Sequence, residues 1–372
     1  MGTKMKDERA HLQLFDLIAR DWMLASPATG GTFNADDSAV AFACGDGAIY
    51  IAATADKESS NSRIRRAVDT ARVTIAPRSK PLAPLKAADF TEGRSSPVVP
   101  HGPKNFAFAK ATGRINTLTP GGIAVHLPTK AAGAIGAVAM TPDGDTLAYA
   151  CGDQVFVTLS TTDKPQAIGT MPEIAALAFS PDGKTLAVAH AGWVSRWSLN
   201  GLEQDPVPTP LPANAVSVTW NSDGRWLAVC LQSDGFCVID TDSNDAFSHG
   251  NFPAPVRSVA FGGLTNTVVA AGAFRVAAWG LESHDSIQSG KAGLVLVNAV
   301  ATCPTRNLVA VGYANGLLSL AEIGRPSEIL LREDTGAGIT AMAWSSDGKF
   351  LAVAGADGST ALVDFPASMF KS

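Results

Sequence analysis

The 372-residue sequence has few charged residues and no long apolar segment. Asp, Glu, Lys and Arg make up 17% of the chain, against roughly 25% in an average soluble protein. The formal net charge of -5 has the wrong sign for a globally basic nucleic-acid-binding protein. No run reaches the roughly 18 apolar residues that a membrane helix needs. These features exclude a disordered chain and predict a soluble, folded protein without membrane insertion.

Cysteine is also scarce, and no secretion signal is visible. The five cysteines are an odd number, are spread over the chain, and include no Cys-x-x-Cys pair for zinc or redox chemistry. The first nine residues mix basic and acidic side chains, and no continuous apolar region follows them. We therefore expect a cytoplasmic location, no bound metal and no cofactor.

The sequence does contain an internal repeat with a period of about 41 residues. Three segments, the first beginning at Ala137, align without gaps, and a fourth that begins at Ser217 follows the same pattern; each carries an Asp-Gly turn between two apolar runs. Two degenerate copies begin at Ser258 and Asn298, and two more lie upstream. In total we recognise eight units, which begin near Gly30, Ser96, Ile135, Ile174, Val216, Val256, Val295 and Ile339.

Each unit has the features of a small antiparallel sheet. In the turn that begins at Ser180, Pro181 presets φ, the Asp182 side chain can bond the backbone, and Gly183 can adopt a positive φ. The strand that follows alternates Leu or Val with Ala, which is typical of a strand packed on both faces.

This succession of strands and Asp-Gly turns, with a third strand that closes at a Trp or Asp position, resembles the tryptophan-aspartate (WD) repeat β-propellers. The resemblance implies an all-β fold of eight four-stranded blades, with seven blades as the alternative. It also implies that an N-terminal strand closes the ring. Residues 15–24 are the candidate for that strand, with a short helix before it, although their spacing also fits an amphipathic helix.

The repeats are degenerate, of a bacterial type, because no unit ends in a literal Trp-Asp pair; Trp197, for example, precedes Ser198. We therefore expect packing, rather than the family's Asp-His-Ser-Trp hydrogen-bond network, to hold the blades. The predicted organisation is an N-terminal segment (1–29), one propeller domain (30–366) with an insertion at about 54–86, and a C-terminal tail (367–372).

Little in the sequence resembles a catalytic site. The six histidines are scattered, none lies near a second metal-type ligand, and no nucleophile elbow or phosphate-binding loop is present. The predicted inner strands consist mainly of Ala, Ile, Leu, Val and Met. We therefore predict a protein that is not an enzyme, with an enzyme or ligand-binding propeller that uses the central channel as the alternative.

The insertion is strongly basic, with eight Lys and Arg against two acids between Lys57 and Lys86. Docking of an acidic protein partner or of nucleic-acid phosphate is one interpretation, with Arg63, Arg65, Arg66 and Arg72 as the binding candidates. The other is a solvated spacer whose charges protect a sheet edge. Nucleic acid is the less favoured ligand because the segment lacks interleaved aromatic residues. We expect reversal of Arg63, Arg65 and Arg66 to Glu to abolish partner binding without affecting folding.

A second group of candidates lies at the turns between the second and third strands of the units. It consists of Trp193, Phe236, Phe274 and Arg275. In the family these turns lie on one rim of the ring, and aromatic and Arg side chains often dominate binding energy. The alternative for Trp193 is packing against the neighbouring blade. Together these features predict an interaction scaffold that presents a rim and a basic arm to a protein partner.

Overall fold

The computed structural model describes residues 13–66, 73–79, 82–87, 98–110, 112–160, 164–202, 205–233 and 235–370. Its strands form eight four-stranded antiparallel sheets and one separate hairpin. No helix of the described residues is long and apolar enough to cross a membrane.

The first part of the chain contains one short helix and the first two blades. The helix α1 (Leu14–Ile18) leads directly into the strand β1 (Ala19–Met23). Blade 1 and its insertion contain β2 (Ala28–Phe33), β3 (Ala39–Cys44), β4 (Ile49–Ala53), a 3-10 turn (Asn61–Arg63), β5 (Ile64–Arg66), β6 (Val73–Ile75) and β7 (Leu85–Lys86). Of these, β2, β3, β4 and β7 form the blade, and β5 pairs with β6. Blade 2 contains β8 (Val98–His101), β9 (Asn105–Ala109), β10 (Ile115–Leu118) and β11 (Ala124–Leu127).

The next four blades follow one another along the chain. Blade 3 contains β12 (Ile135–Met140), β13 (Leu147–Cys151), β14 (Gln154–Thr158) and β15 (Gln166–Thr170). Blade 4 contains β16 (Ile174–Phe179), β17 (Thr185–His190), β18 (Trp193–Ser198), a 3-10 turn (Leu199–Gly201) and β19 (Val207–Pro210). Blade 5 contains β20 (Ala215–Trp220), β21 (Trp226–Leu231), β22 (Phe236–Asp240) and β23 (Ala246–His249). Blade 6 contains β24 (Val259–Phe261), β25 (Thr267–Ala270), β26 (Ala277–Gly280) and β27 (Ser286–Gln288).

The last two blades complete the ring. Blade 7 contains β28 (Val297–Thr302), β29 (Leu308–Tyr313), β30 (Leu318–Glu322) and β31 (Glu328–Arg332). Blade 8 contains β32 (Ile339–Trp344), β33 (Phe350–Gly355) and β34 (Ser359–Asp364), with β1 as its outer strand. The first strand of each blade contacts the first strand of the next blade, and β2 contacts β32. The prediction of eight blades is therefore confirmed, and the seven-bladed alternative is wrong.

The N-terminal strand closes the ring as predicted. Ala19 pairs with Val363 and Met23 pairs with Ser359, so that β1 runs antiparallel to β34. The short helix α1 precedes this strand, and its Phe15 and Ile18 side chains are buried in the core between blades 7 and 8. The helical and the extended pattern of residues 15–24 thus correspond to two consecutive elements, a short helix followed by a strand.

The repeated Asp-Gly turn has the predicted geometry. In blade 4, Ser180 Oγ donates a 2.6 Å hydrogen bond to Asp182 Oδ1, which also accepts a 3.1 Å hydrogen bond from the Lys184 N–H. Gly183 adopts a φ of +70°, a backbone conformation that residues with a Cβ rarely adopt. The hydrogen bonds hold the pKa of the Asp182 carboxyl below its usual value. Each such carboxylate stabilises the turn of its own hairpin.

The core consists of the layers between adjacent blades. Along β22, Phe236 and Val238 pack towards blade 6, whereas Cys237 and Ile239 pack towards blade 4. Strands buried on both faces need apolar residues at every position, which is why the periodicity of two is weak in the sequence. Burial raises the pKa of the Cys44 thiol to about 11, so this thiol stays protonated at neutral pH.

Polar networks inside two blades add to this packing. In blade 4, His190 Nε2 and Ser195 Oγ lie 3.0 Å apart. In blade 7, the Glu328 carboxylate accepts hydrogen bonds from Tyr313 Oη at 2.9 Å and from Ser319 Oγ at 2.6 Å. Burial and the nearby Glu328 charge raise the pKa of Tyr313.

Candidate interaction surfaces

The strand order gives the ring two different faces. The upper face is formed by the turns between second and third strands and by the loops that join one blade to the next. The lower face is formed by the turns between first and second strands and between third and fourth strands. The insertion joins β4 to β7, the third and fourth strands of blade 1, and therefore lies on the lower face.

Arg63, a predicted partner-binding residue, is buried within the protein. Its guanidinium donates hydrogen bonds to three backbone carbonyls: Glu58 O at 2.8 Å, Ala76 O at 2.6 Å and Leu17 O at 2.6 Å. Two of these carbonyls belong to the insertion and the third to α1. Arg63 joins the insertion to the closing helix, so its burial contradicts its prediction as an exposed partner-binding residue, and its reversal to Glu would remove these hydrogen bonds.

A second buried arginine, Arg20, binds the start of the insertion from the closing strand. Arg20 on β1 is only 2% exposed and donates hydrogen bonds to Ala53 O at 2.6 Å and Thr54 O at 3.2 Å. The Asp56 carboxylate lies 3.8 Å from Arg20 Nε and also pairs with Arg78. Burial lowers the pKa of Arg20, while the Asp56 charge partly offsets that effect.

The end of blade 8 completes the junction. Asp364 Oδ2 accepts a 2.6 Å hydrogen bond from the Ser60 N–H, and Asn61 Oδ1 accepts one of 3.1 Å from the Ala367 N–H. We call this region, where the insertion meets α1, β1 and the end of β34, the closure seam. Part of the insertion's positive charge is therefore structural.

The basic hairpin keeps two of its predicted binding residues at the surface. Arg65 and Arg66 on β5 are exposed, and Arg65 Nη1 bonds the carbonyls of Ser62 and Ile64 within the insertion. Arg72, the fourth candidate, lies outside the described residues.

Among the upper-face candidates, Trp193 and Phe236 have different environments. Trp193 pairs with His190 and is 43% exposed. Phe236 is fully buried, stacks on His249 with ring centroids 4.9 Å apart, and contacts the edge of Trp279. The strand pairing makes Phe236 equivalent to Val194, because they pair with the equivalent residues Cys230 and Ala189. The prediction that Phe236 lies on an exposed rim is therefore wrong.

Phe274 is exposed, and it has an apolar neighbour that the sequence analysis missed. The Phe274 side chain is 43% exposed and that of Leu294 is 95% exposed. Gly293, next to Leu294, donates a 3.0 Å backbone hydrogen bond to Phe274 O. Leu294 lies in a loop between blades, where no periodicity marks it. The available signal was a large apolar residue directly after the loop-like run from Ser289 to Gly293.

Backbone hydrogen bonds join the three upper-face segments around blade 6. Gly272 O accepts a 3.1 Å bond from the Ala254 N–H, and the Gly272 N–H donates a 2.9 Å bond to Val297 O. The Val297 N–H in turn donates a 2.9 Å bond to Ala273 O. Gly272 has a φ of +89°, and a Cβ there would lie 2.9 Å from Ala254 O. The segments 250–258, 271–276 and 289–296 therefore form one fixed surface.

This surface also carries positive charge. Arg257, Arg275 and Lys291 lie one in each of the three segments, and none of the segments contains Asp or Glu. The Glu328 carboxylate accepts a 2.8 Å hydrogen bond from the Lys291 N–H, but it is already bonded to Tyr313 and Ser319 within blade 7. We call Arg257, Phe274, Arg275, Lys291 and Leu294 the blade-6 patch.

The central channel has a different character. A cavity of about 400 Å³ lies along the inner strands of blades 5 to 8, and Arg257 is the charged residue among those that line it. Hydroxyl groups in its wall bond the backbone, as where Thr302 Oγ1 donates a 2.5 Å hydrogen bond to Phe261 O. The inner strands contain no Asp or Glu. Across the described part of the chain, no three His, Cys, Asp or Glu side chains are grouped so as to hold a metal ion.

Comparison with known proteins finds similarity to WD-repeat proteins in two segments of the sequence and in the fold. Residues 300–369 match the model of the anaphase-promoting complex subunit 4 WD40 domain, and residues 209–239 match that of the WD domain, G-beta repeat. Among solved structures, the C-terminal WD40 domain of Sif2 superposes with a TM-score of 0.64 at 13% sequence identity. That alignment covers 95% of this chain and all of the other. No curated protein matches the sequence significantly.

Proposed function

We propose that the protein is a non-catalytic interaction scaffold that binds a protein partner through the blade-6 patch. The observation that carries the proposal is the exposure of Leu294 beside Phe274 on backbone-bonded loops. WD40 propellers generally mediate protein–protein interactions, and this general role agrees with the proposal. A cytoplasmic location and a bacterial origin stay predictions from the sequence.

The physical argument rests on the apolar surface that these loops leave in water. Burial of an exposed Leu or Phe side chain contributes about 1.5–3 kcal/mol, and the fixed backbone reduces the entropy that binding would otherwise lose. Arg275, beside Phe274 in the chain, adds a side chain of the type enriched at binding hot spots. Trp193 belongs to a separate turn on the same face and is a secondary contact candidate.

Affinity capture with three forms of the full chain tests the proposal. The double variant Phe274→Ala, Leu294→Ala removes the apolar contacts. Leu264→Ala is the matched control, because Leu264 is a comparably exposed leucine on the lower face. We expect proteins captured by the wild type from its native cells to fall by about tenfold or more with the double variant and to be retained by the control. Equal capture by all three forms would refute the proposal.

A second candidate surface is the β5–β6 hairpin, because Arg65 and Arg66 are exposed there. We propose that it docks acidic protein surfaces, with nucleic-acid phosphate as the alternative ligand. The double variant Arg65→Glu, Arg66→Glu avoids the buried Arg63 and tests both. A loss of binding in this variant that is larger at low salt than at high salt would implicate the hairpin charges. Unchanged capture of proteins and nucleic acids would refute a binding role for this surface.

A further inference from the structure

The blade-6 patch combines two properties that together restrict the chemistry of its partner. It presents two exposed apolar side chains, Phe274 and Leu294, next to each other on hydrogen-bonded loops. The charged residues of its three segments are all cationic. An apolar partner surface alone would leave these cations without counter-charges, and a basic partner would be repelled.

The positions of the three cations follow from the backbone contacts. Arg275 directly follows Phe274, and Lys291 lies two residues before Gly293, which bonds Phe274 O. Arg257 precedes Ser258, whose carbonyl oxygen accepts a 2.9 Å hydrogen bond from the Ala271 N–H. The three cations therefore lie on the three hydrogen-bonded segments: Arg275 and Lys291 are close along the backbone to the apolar pair, and Arg257 lies towards the central cavity.

Charge on the upper face of blade 8 and of the loop that leads into it contrasts with this arrangement. The loop from blade 7 to blade 8 carries Glu333 and Asp334, and the turn of blade 8 carries Asp357. In a chain with a net charge of -5, the patch is a local positive region beside a negative one. A partner with carboxylates would be attracted to blade 6 and repelled from blade 8, which gives it an orientation as well as a site.

We propose that the blade-6 patch binds an acidic peptide segment that carries bulky apolar side chains. Leu, Phe or Trp side chains of the segment bury Leu294 and Phe274, while its Asp or Glu carboxylates pair with Arg257, Arg275 and Lys291. The guanidinium groups can hold carboxylates with two parallel hydrogen bonds. The inference rests on the proposed scaffold function and names the partner chemistry of that same surface.

Selection from a randomised peptide library displayed on phage tests this chemistry directly. The full-length wild type is the target, and the Phe274→Ala, Leu294→Ala variant is used for counter-selection, so that only peptides that need the patch are retained. We expect the retained sequences to be enriched in Asp and Glu together with Leu, Phe or Trp. Enrichment of basic or uncharged apolar sequences would overturn the inference but leave the scaffold proposal standing. Failure to enrich any sequence over the variant would overturn both.

A charge variant separates the electrostatic contribution from the apolar one. The triple variant Arg257→Gln, Arg275→Gln, Lys291→Gln should weaken binding of a retained peptide by about tenfold or more and reduce its dependence on salt. The matched control neutralises three exposed lysines of the lower face, Lys57, Lys104 and Lys184, and should bind as the wild type does. Equal affinity of the triple variant would refute the acidic character of the partner.

Two other occupants would be recognised in the same experiments. Displacement of the peptide by a single-stranded oligonucleotide would assign the patch to nucleic acid. Self-association that disappears in the double variant would assign it to a second copy of this chain. Either result would contradict the inference.

Discussion

Arg63 Nη2 donates a 2.6 Å hydrogen bond to the backbone carbonyl of Leu17, and this contact ties the insertion of blade 1 to the helix that precedes the closing strand. The two residues are 46 positions apart in the chain. Propeller rings are closed by the pairing of their termini, and here Arg20, Asp56 and Asp364 reinforce that pairing from the insertion side. The insertion therefore contributes to ring closure as well as presenting exposed arginines.

Replacement of Arg63 by Ala should destabilise the fold. The change removes three hydrogen bonds from a charged donor, each of which contributes about 1.5–3 kcal/mol when buried, although their effects are not additive. We expect the free energy of unfolding in urea to fall by about 3 kcal/mol. Arg65→Ala, at an exposed position of the same insertion, is the control and should change it by about 0.5 kcal/mol or less. Equal stability of the two variants would contradict the role of the closure seam.

Deletion of residues 1–24 should open the ring. It removes β1 from the edge of β34 and the buried side chains of Phe15 and Ile18 from the core of blades 7 and 8. We expect the midpoint of thermal unfolding to fall by about ten degrees or more, as measured by circular dichroism. Deletion of residues 1–12, which leaves every contact described above in place, is the control. A shortened chain with unchanged thermal stability would mean that β1 does not close the ring.

The fold was predictable because its local signals repeat. The Asp182 turn recurs with the same side-chain hydrogen bonds at Asp347, and each copy fixes one hairpin without help from distant residues. The eight repeat units can be counted in a single sequence, even in blade 6, where Leu264 and Thr265 occupy the positions of the Asp-Gly pair. The closing strand could be inferred because residues 15–24 were the one apolar segment that did not belong to a repeat unit.

The surfaces were less predictable because they depend on contacts between distant segments. Nothing near Arg63 in the sequence distinguishes it from Arg65, and only the position of Leu17 and Ala76 around it explains its burial. Phe236 was misplaced because the alignment with Val194 depends on the length of one turn. Leu294 is brought close to Phe274 by backbone hydrogen bonds between distant segments, such as that from Gly293 to Phe274.

Stability should decrease as the pH falls from about 7.5 to 5.5. Burial lowers the pKa of His190, and the pKa values of His101 and His249 are lowered in the same way. The unfolded chain, with a histidine pKa near 6.5, then binds protons that the folded protein binds less readily. Protonation therefore favours unfolding as the pH drops through that value, and the loss levels off below the folded pKa.

A substitution at His190 tests this explanation. His190→Gln keeps a polar group near Ser195 but removes the titration, so the free energy of unfolding should depend less steeply on pH over this range. His126→Gln, at an exposed position of β11, is the matched control substitution. The measurement is a series of urea unfolding curves at constant ionic strength, and a His190→Gln slope equal to that of the wild type would refute the assignment.

Truncation of Phe236 should mainly affect stability, whereas truncation of Trp193 should mainly affect partner binding. Phe236→Ala leaves a cavity between blades 5 and 6 beside His249 and Trp279, and a buried Phe to Ala change costs about 3–5 kcal/mol. Trp193→Ala removes a side chain that is partly in water, so the expected loss is about 1 kcal/mol or less. Urea unfolding measures the loss of stability in both variants. Partner capture should be affected by Trp193→Ala rather than by Phe236→Ala, because only Trp193 can contact a partner without local unfolding. A Phe236→Ala protein as stable as the wild type would contradict its place in the core.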